Sequence, residues 1–281
     1  MTEELFRDDA TLRECGATVL ALAEGGVILD RSVFYPLGGG QAGDAGALLL
    51  NDGRRVAIAD ARKSKQHPGA VLHLPAPGAD LSLLAPGVTV TAQIDWTRRH
   101  RHMRFHTSTH LLCALVPHPV DGCSITADYA RLDFHMTEPL DKEELSAGIA
   151  RLVAEAHPVR QRWIGEAELD ANPGLVRSMS VQPPRGLGRI RVLEIEGVDL
   201  QPCGGTHVAN TAEIGAVVVT KIEKKGAMTR RVVLGLTAER ANAKARRCGP
   251  CTQRPVTTAT AAFGTRRGRP CSSAPPRLWR P

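Results

Sequence analysis

The sequence has few aromatic residues and no long apolar run. Five Phe, three Trp and two Tyr make up 4% of its 281 residues, so stacking of bases on protein rings is expected to be a minor mode of any nucleic-acid contact. No apolar stretch approaches the ~18 residues of a membrane-spanning helix. The N-terminal "MTEELFRDDATLREC" is acidic and lacks an apolar h-region, so no secretory signal is read there. A paired cysteine framework is missing too. Seven cysteines, an odd number, suit a reducing compartment, and a cytoplasmic protein is expected. From Arg240 onward there are ten Lys/Arg and no Asp or Glu, so the net charge of +7 belongs to the tail; the other 26 cations face 29 acids. A nucleic-acid partner therefore needs local basic patches and cannot rest on global charge.

What is present divides into three parts. Residues 1–96 read as a small β module. "GVILDRSVFYP" is a β-branched and aromatic run, "FYPLGGGQAGDAG" (34–46) a glycine-rich turn, "NDG" (51–53) a hairpin signal, and "VTVTAQID" (88–95) alternates as a strand does. Residues 97–237 read as α+β. A helix is expected over 98–116, stopping before Pro117, with Met103, Leu111, Leu112 and Leu115 as its buried stripe. A second is expected over 141–156, with Asp141 and Glu144 at N-cap and N3 spacing. Strands are expected at 189–195, 216–223 and 230–236. Residues 238–281, rich in Arg, Pro, Ser and Thr, lack apolar periodicity and read as a disordered basic tail. Its Cys248 and Cys251, a lone C-x-x-C, are given no role. The fold class is α+β, a β-barrel module followed by a metal-binding domain.

"HTSTH" (106–110) is the informative string. His106 and His110 are four apart on the expected helix, which puts both rings on one face at chelating distance. Alone the spacing is a weak signal, since surface histidines often fall so. "QPCGGTHVAN" (201–210) adds Cys203 and His207, four apart across two glycines that allow a tight turn and a close approach to a ligand. Three imidazoles and a thiolate form a tetrahedral N/S set that suits zinc best. A peptidase helix would carry H-E-x-x-H with Glu as general base. Thr107 stands in that place, so the peptidase reading loses its base.

At these residues the chain resembles the editing domain of alanyl-tRNA synthetase and, more closely, its free-standing AlaX trans-editing relatives. The resemblance is carried by "RFHTSTHLLCAL", "ARLDF", "GRIRVLEIEGVDLQPCGGTHVANTAEIG" and "KIEKKGAMTRRV", and "FYPLGGGQAGDAG" is similar to a motif of the barrel module in the longer members. It covers roughly residues 20–236. Ala42 stands where proline is common after GGGQ, and His135 where an acidic or small residue is expected after "LDF". With no aminoacylation domain ahead of these motifs, the chain is expected to be a free-standing editor. The resemblance implies zinc at His106, His110, Cys203 and His207, and hydrolysis of the ester that joins serine, or in some members glycine, to tRNA(Ala).

Rejecting alanine while taking serine calls for a partner to the serine hydroxyl, with discrimination of up to ~10^4–10^5. Thr107, Thr109, Ser124 and Thr126 are the candidates, each able instead to serve a local helix or turn. Four protein ligands close a tetrahedral zinc, whereas hydrolytic zinc keeps a place for water. Either the shell opens or expands, or the metal mainly positions substrate. Arg98, Arg99, Arg101 and Arg104, and Lys221, Lys224, Lys225, Arg230 and Arg231, form two basic patches suited to acceptor-stem phosphates. Threonine-type editing and a non-catalytic zinc-containing RNA-binding module stand as alternatives. The GGT of CGGTH argues against the first and the hydroxyl-rich HTSTH against the second.

Overall fold

Six strands close into a barrel at the N-terminal end of the chain. The computed structural model describes residues 1–237 except 180, 181, 184 and 187. The readings of 238–281 as a disordered tail, and of Cys248 and Cys251, fall outside the described residues. The barrel strands are β1 (Glu14–Ala23), β2 (Gly26–Leu29), β3 (Gly46–Leu50), β4 (Arg55–Lys63), β5 (Val71–Pro75) and β6 (Thr89–Ile94). Their order round the barrel is β1–β2–β5–β4–β3–β6, and β6 pairs back onto β1. The "NDG" turn joins β3 to β4, with Gly53 at positive φ. Alternate residues point inward, so Val19, Leu29, Leu48, Val56, Ile58 and Ala92 fill the interior with Phe34; this is the period-2 rule closed on itself.

Helix α1 (Trp96–Leu115) leaves the barrel directly after β6. It begins two residues earlier than the sequence predicts, because Asp95 caps it by accepting from the Arg98 backbone N–H. It ends before Pro117, as the sequence predicts. Strands β7 (Val120–Ile125) and β8 (Ala130–His135), helix α2 (Lys142–Ala154), and strands β12 (Val217–Gly226) and β13 (Thr229–Leu236) build a four-stranded sheet of order β12–β13–β8–β7 covered by helices. Asp141 caps α2 by accepting from Glu144 N, as its spacing predicts. Met103, Leu111 and Leu112 of α1 and Ile149 of α2 pack on Phe134, Val232 and Leu234 in one core. Between these pieces β9 (Val159–Gly165), the short α3 (Glu166–Ala171), β10 (Arg189–Ile195) and β11 (Asp199–Pro202) form a three-stranded sheet of order β9–β10–β11. Every described residue belongs to one compact unit.

Arg99 fastens the helix to the barrel. Its side chain is completely buried. It donates to both oxygens of Asp44 in the glycine-rich loop, to Val33 O (2.6 Å) and to Ala10 O (2.9 Å). Asp44 also accepts from Tyr35 N. Burial alone would raise its carboxyl pKa, but the Arg99 charge outweighs that and holds it below the usual range. Removing one partner of such a pair strands a buried charge, a cost of about 3–5 kcal/mol. Arg99 was expected to contact phosphate, and that expectation is corrected here: a guanidinium with no exposed surface and four oxygen partners has nothing left for RNA.

Candidate metal centre and editing site

The buried end of α1 meets the CGGTH loop beneath the barrel's glycine-rich turn. His106, His110, Cys203 and His207 each bring one ligand atom within 4.8 Å of the others, a group that could hold a metal ion. Cys203 Sγ lies 3.5 Å from His106 Nε2 and 3.2 Å from His207 Nε2. The three histidines are buried and Cys203 is half-buried.

The far side of each ring fixes its tautomer. His106 Nδ1 lies 2.8 Å from Gln41 Oε1, which also receives the Thr206 backbone N–H at 3.1 Å. A backbone N–H can only donate, so the Gln41 atom is the acceptor oxygen and His106 carries its proton on Nδ1. His110 Nδ1 donates to Asp199 Oδ2 at 2.9 Å. His207 Nδ1 faces Thr107 Oγ1 at 3.3 Å. That hydroxyl spends its own proton on Met103 O (2.9 Å), so it accepts from the ring. All three rings therefore occupy Nδ1 outward and turn Nε2 inward, the orientation a metal needs.

Electrostatics agree with the geometry. Burial opposes charge on His110, but the Asp199 carboxylate and the Cys203 sulfur outweigh it and lift the ring to about 10. Burial would raise the Cys203 thiol, yet the His106 and His207 rings pull it well below the ordinary value. Burial, followed by the neighbouring His106, pushes His207 down to about 3. The metal-free group thus holds a thiolate beside a protonated His110, a proton that a divalent cation displaces.

The loops supply what the helix lacks. A Cβ on Gly205 would lie 2.1 Å from His106 Cε1 and 2.9 Å from Gln41 Oε1, so only glycine lets the backbone cross the ring. Gly40 turns at positive φ, where a Cβ would meet Cys123 Sγ at 2.9 Å. It presses the GGGQ turn onto β7, whose Ile125 N donates to Gly40 O. That seats Gln41, fully buried, where its Nε2 donates to Thr206 Oγ1 (2.9 Å). The sequence reading passed over Gln41 and Asp199. The run GGGQ announced a turn but not the reach of its last side chain, and Asp199 carries no motif of its own.

The other candidates are spread more widely. Thr107 Oγ1 donates once and accepts from His207 and from Val208 N (3.3 Å), so its capacity is full. Thr109 donates to His106 O and keeps its lone pairs. Ser124 stands half-buried on β7 opposite Arg131. The Thr126 hydroxyl closes the β7–β8 turn with Tyr129 and Asp128. Arg98 reaches Gly43 O, and Arg104 donates to Ile214 O. Arg101 is half-buried. Lys221 and Lys225 pair with Glu223, Arg231 with Asp133, and Arg230 donates to backbone carbonyls, while Lys224 is exposed.

Comparison with known proteins decides the family. Residues 190–233, which hold CGGTH, match the model of the threonyl and alanyl tRNA synthetase second additional domain, and residues 7–98 match that of class II (A) tRNA synthetases. The chain is similar to the alanyl-tRNA editing protein AlaX-M of Methanosarcina mazei, 33% identical over 247 residues, covering 84% of this chain and 97% of that protein. The AlaX-M of Saccharolobus solfataricus is 32% identical over 236 residues, covering 83% of this chain and 98% of its own. The chain belongs to the AlaX family. It is a tRNA-editing protein, a hydrolytic deacylase. This AlaX chain is also 36% identical to the alanine–tRNA ligase of Metallosphaera sedula over 232 residues, 79% of its own length but 25% of the ligase. No helix among its described residues is long and apolar enough to cross a membrane.

Proposed function

We propose that the chain is a zinc-dependent trans-editing enzyme of the cytoplasm that hydrolyses the ester of tRNA(Ala) mischarged with serine, or with glycine. The observation that carries this is the convergence of three inward Nε2 atoms and one thiolate, each imidazole locked by an outer partner. The donor set fits zinc. A tetrahedron with Zn–N of about 2.0–2.1 Å and Zn–S of about 2.3 Å has an N···S edge of roughly 3.5 Å, and Cys203 Sγ lies 3.5 and 3.2 Å from the Nε2 atoms of His106 and His207. Bound there, zinc supplies Lewis acidity toward the ester carbonyl or a water.

The protein's part is to place and to exclude. Gln41, Asp199 and Thr107 fix the three rings. Asp199, nearly fully buried against His110, cancels the single positive charge that a thiolate and a divalent cation would leave. Thr109 and Ser124 remain to meet the serine hydroxyl, because Thr107 has no lone pair left. Arg98, Arg101, Arg104, Lys221, Lys224, Lys225 and Arg230 serve the acceptor-stem phosphates, with Arg231 shared with Asp133.

The test is deacylation by the purified protein of Ser-tRNA(Ala), Gly-tRNA(Ala), Ala-tRNA(Ala) and Ser-tRNA(Thr), with metal analysis alongside. Expected are hydrolysis of the first, Ala-tRNA(Ala) spared, and about one zinc per chain that is lost when Cys203 and His207 are both changed to Ala. A metal-free protein of full activity, or preferential hydrolysis of Ser-tRNA(Thr), overturns the proposal.

A further inference from the structure

Arg191 links the CGGTH loop to an open sheet face. From β10 it donates to Cys203 O (2.7 Å) and Gly205 O (3.0 Å), the carbonyls on either side of Gly204, and to Gln161 Oε1 (3.0 Å) on β9. In the β9–β10 register Arg191 stands directly opposite Trp163, and Arg189 opposite Gly165. Paired residues, and residues two apart on one strand, share a face. Gln161, Trp163, Arg189 and Arg191 therefore line one side of the sheet. The other side is closed, with Ile164, Ile190 and Val192 packed on Leu169 of α3.

The open side is chemically unusual for this molecule. Trp163 is 45% exposed in a chain with only ten aromatic residues of the Phe, Trp and Tyr kinds. The Arg189 guanidinium lies 4.5 Å from its ring centroid. Among the described residues no carboxylate pairs with Arg189 or Arg191. Arg7 stands at the far end of the same path, its Nη1 3.8 Å from where a Cβ on Gly204 would be. From the surface inward run a π-face backed by a guanidinium, then Arg191, then the loop that carries Cys203. Arg191 is buried with its donors spent on Gln161 and the two loop carbonyls, and Arg7 is paired with Glu4, so both hold the loop and Arg189 is the exposed cation of this face. An exposed ring with a free guanidinium over it matches a strand of unpaired nucleotides, which offers bases to stack and phosphates to neutralise.

We infer that Trp163 and Arg189 form a stacking platform for the unpaired 3′ strand of the charged tRNA, holding a base upstream of the terminal nucleotide whose ester lies at the His106, His110, Cys203 and His207 group. This rests on the deacylase reading above and adds a residue that measures the strand leading to the ester. Stacking accepts any base, so the platform contributes hold and alignment and leaves tRNA identity to other contacts.

The experiment compares the parent with Trp163→Ala and Trp163→Phe on two substrates. One is a serylated minihelix with its unpaired 3′ strand; the other is 3′-O-seryladenosine, which has the ester but no upstream base. Trp163→Ala should lower kcat/KM on the minihelix about 5- to 100-fold, chiefly through KM. The loss on seryladenosine should be at least about fivefold smaller, and Phe should recover most of the minihelix rate. Equal losses on both substrates, or no loss on the minihelix, overturn the platform. A second arm measures equilibrium binding of the uncharged minihelix with and without its 3′ strand. The parent should prefer the strand, and Trp163→Ala should lose that preference. A parent that cleaves neither substrate refutes the deacylase reading, and the binding arm still decides the platform, which falls if the preference survives in Trp163→Ala.

Discussion

Gly205→Ala isolates the close crossing of the loop over His106. The added Cβ would sit 2.1 Å from His106 Cε1 and 2.4 Å from Nδ1, whereas Cβ contacts below 3.0 Å essentially never occur. Ring and loop must separate by about 1 Å or more, against a tolerance of about 0.2 Å in metal–ligand distances. The variant should therefore lose His106 as a ligand, or displace Cys203 and His207 together. Structural zinc sites bind with about 10–16 kcal/mol shared over four ligands, so one ligand corresponds to roughly 3 kcal/mol, or a hundredfold or more in Kd. Gly204→Ala is the control. Its Cβ would meet only Arg7 Nη1, at the ordinary distance of 3.8 Å. The assay is zinc competition against a chromogenic chelator, with circular dichroism to check folding. Gly205→Ala should release metal to the chelator at least about a hundredfold more readily than the parent, and Gly204→Ala should stay within a few-fold. A Gly205→Ala protein that holds zinc like the parent, or a Gly204→Ala protein that loses it equally, would falsify the steric reasoning.

Thr107→Val should weaken zinc binding about 10- to 100-fold, because it removes the acceptor of His207 Nδ1; Thr109→Val should keep zinc and lower the serine-to-glycine ratio of deacylation rates. If Thr109→Val retains the parental ratio, Ser124 becomes the residue to change. Asp199→Asn should cost a similar 10- to 100-fold in zinc affinity through His110, read by the same competition, and an unchanged affinity would show that the carboxylate charge is not needed to hold the ring. Inside the barrel, burial holds His73 at about 4, below the ~6.5 of an unfolded chain. The unfolded state binds the proton first, so the stability His73 contributes is complete above pH 6.5 and is lost as pH falls through 4. Between pH 7 and 5 the parent should lose about 2 kcal/mol relative to His73→Gln in urea melts. Parallel curves would mean that His73 is not held neutral.

Sequence reading reached the elements that are governed locally. Asp141 caps α2 and β10 spans Arg189–Ile195 as expected, because a cap and a strand period are written in neighbouring residues. The four clustered residues were legible for the same reason, as two short strings of unusual ligands. The failures share a cause. Arg99 looked like one of four basic surface residues, and only the barrel's Asp44, 55 positions away, makes it a core residue. Gln41 gained its meaning from a contact across 165 positions. Trp163 was discounted within a low aromatic percentage, which records how many rings there are and not where one stands. Composition and spacing carry no information about which loop lies over which helix.

The reach of Gln41 also sets an order of events when the chain is made. His106 and His110 leave the ribosome on a helix already joined to the barrel, but Cys203 follows His106 by 97 residues. At ~5–20 residues per second that gap lasts about 5–20 s. Throughout it, Gln41 has its imidazole partner but not Thr206, and two histidines present nitrogen without sulfur. Metal captured in that interval would be held by two ligands of four, open to exchange with whatever cation is most abundant. Selection for the right ion falls to the last step, when the glycine pair closes over His106 and brings the thiolate with it. A chain cut short before residue 207 would lack His207, and with it the two strands β12 and β13 whose Val219, Val232 and Leu234 share the core of α1.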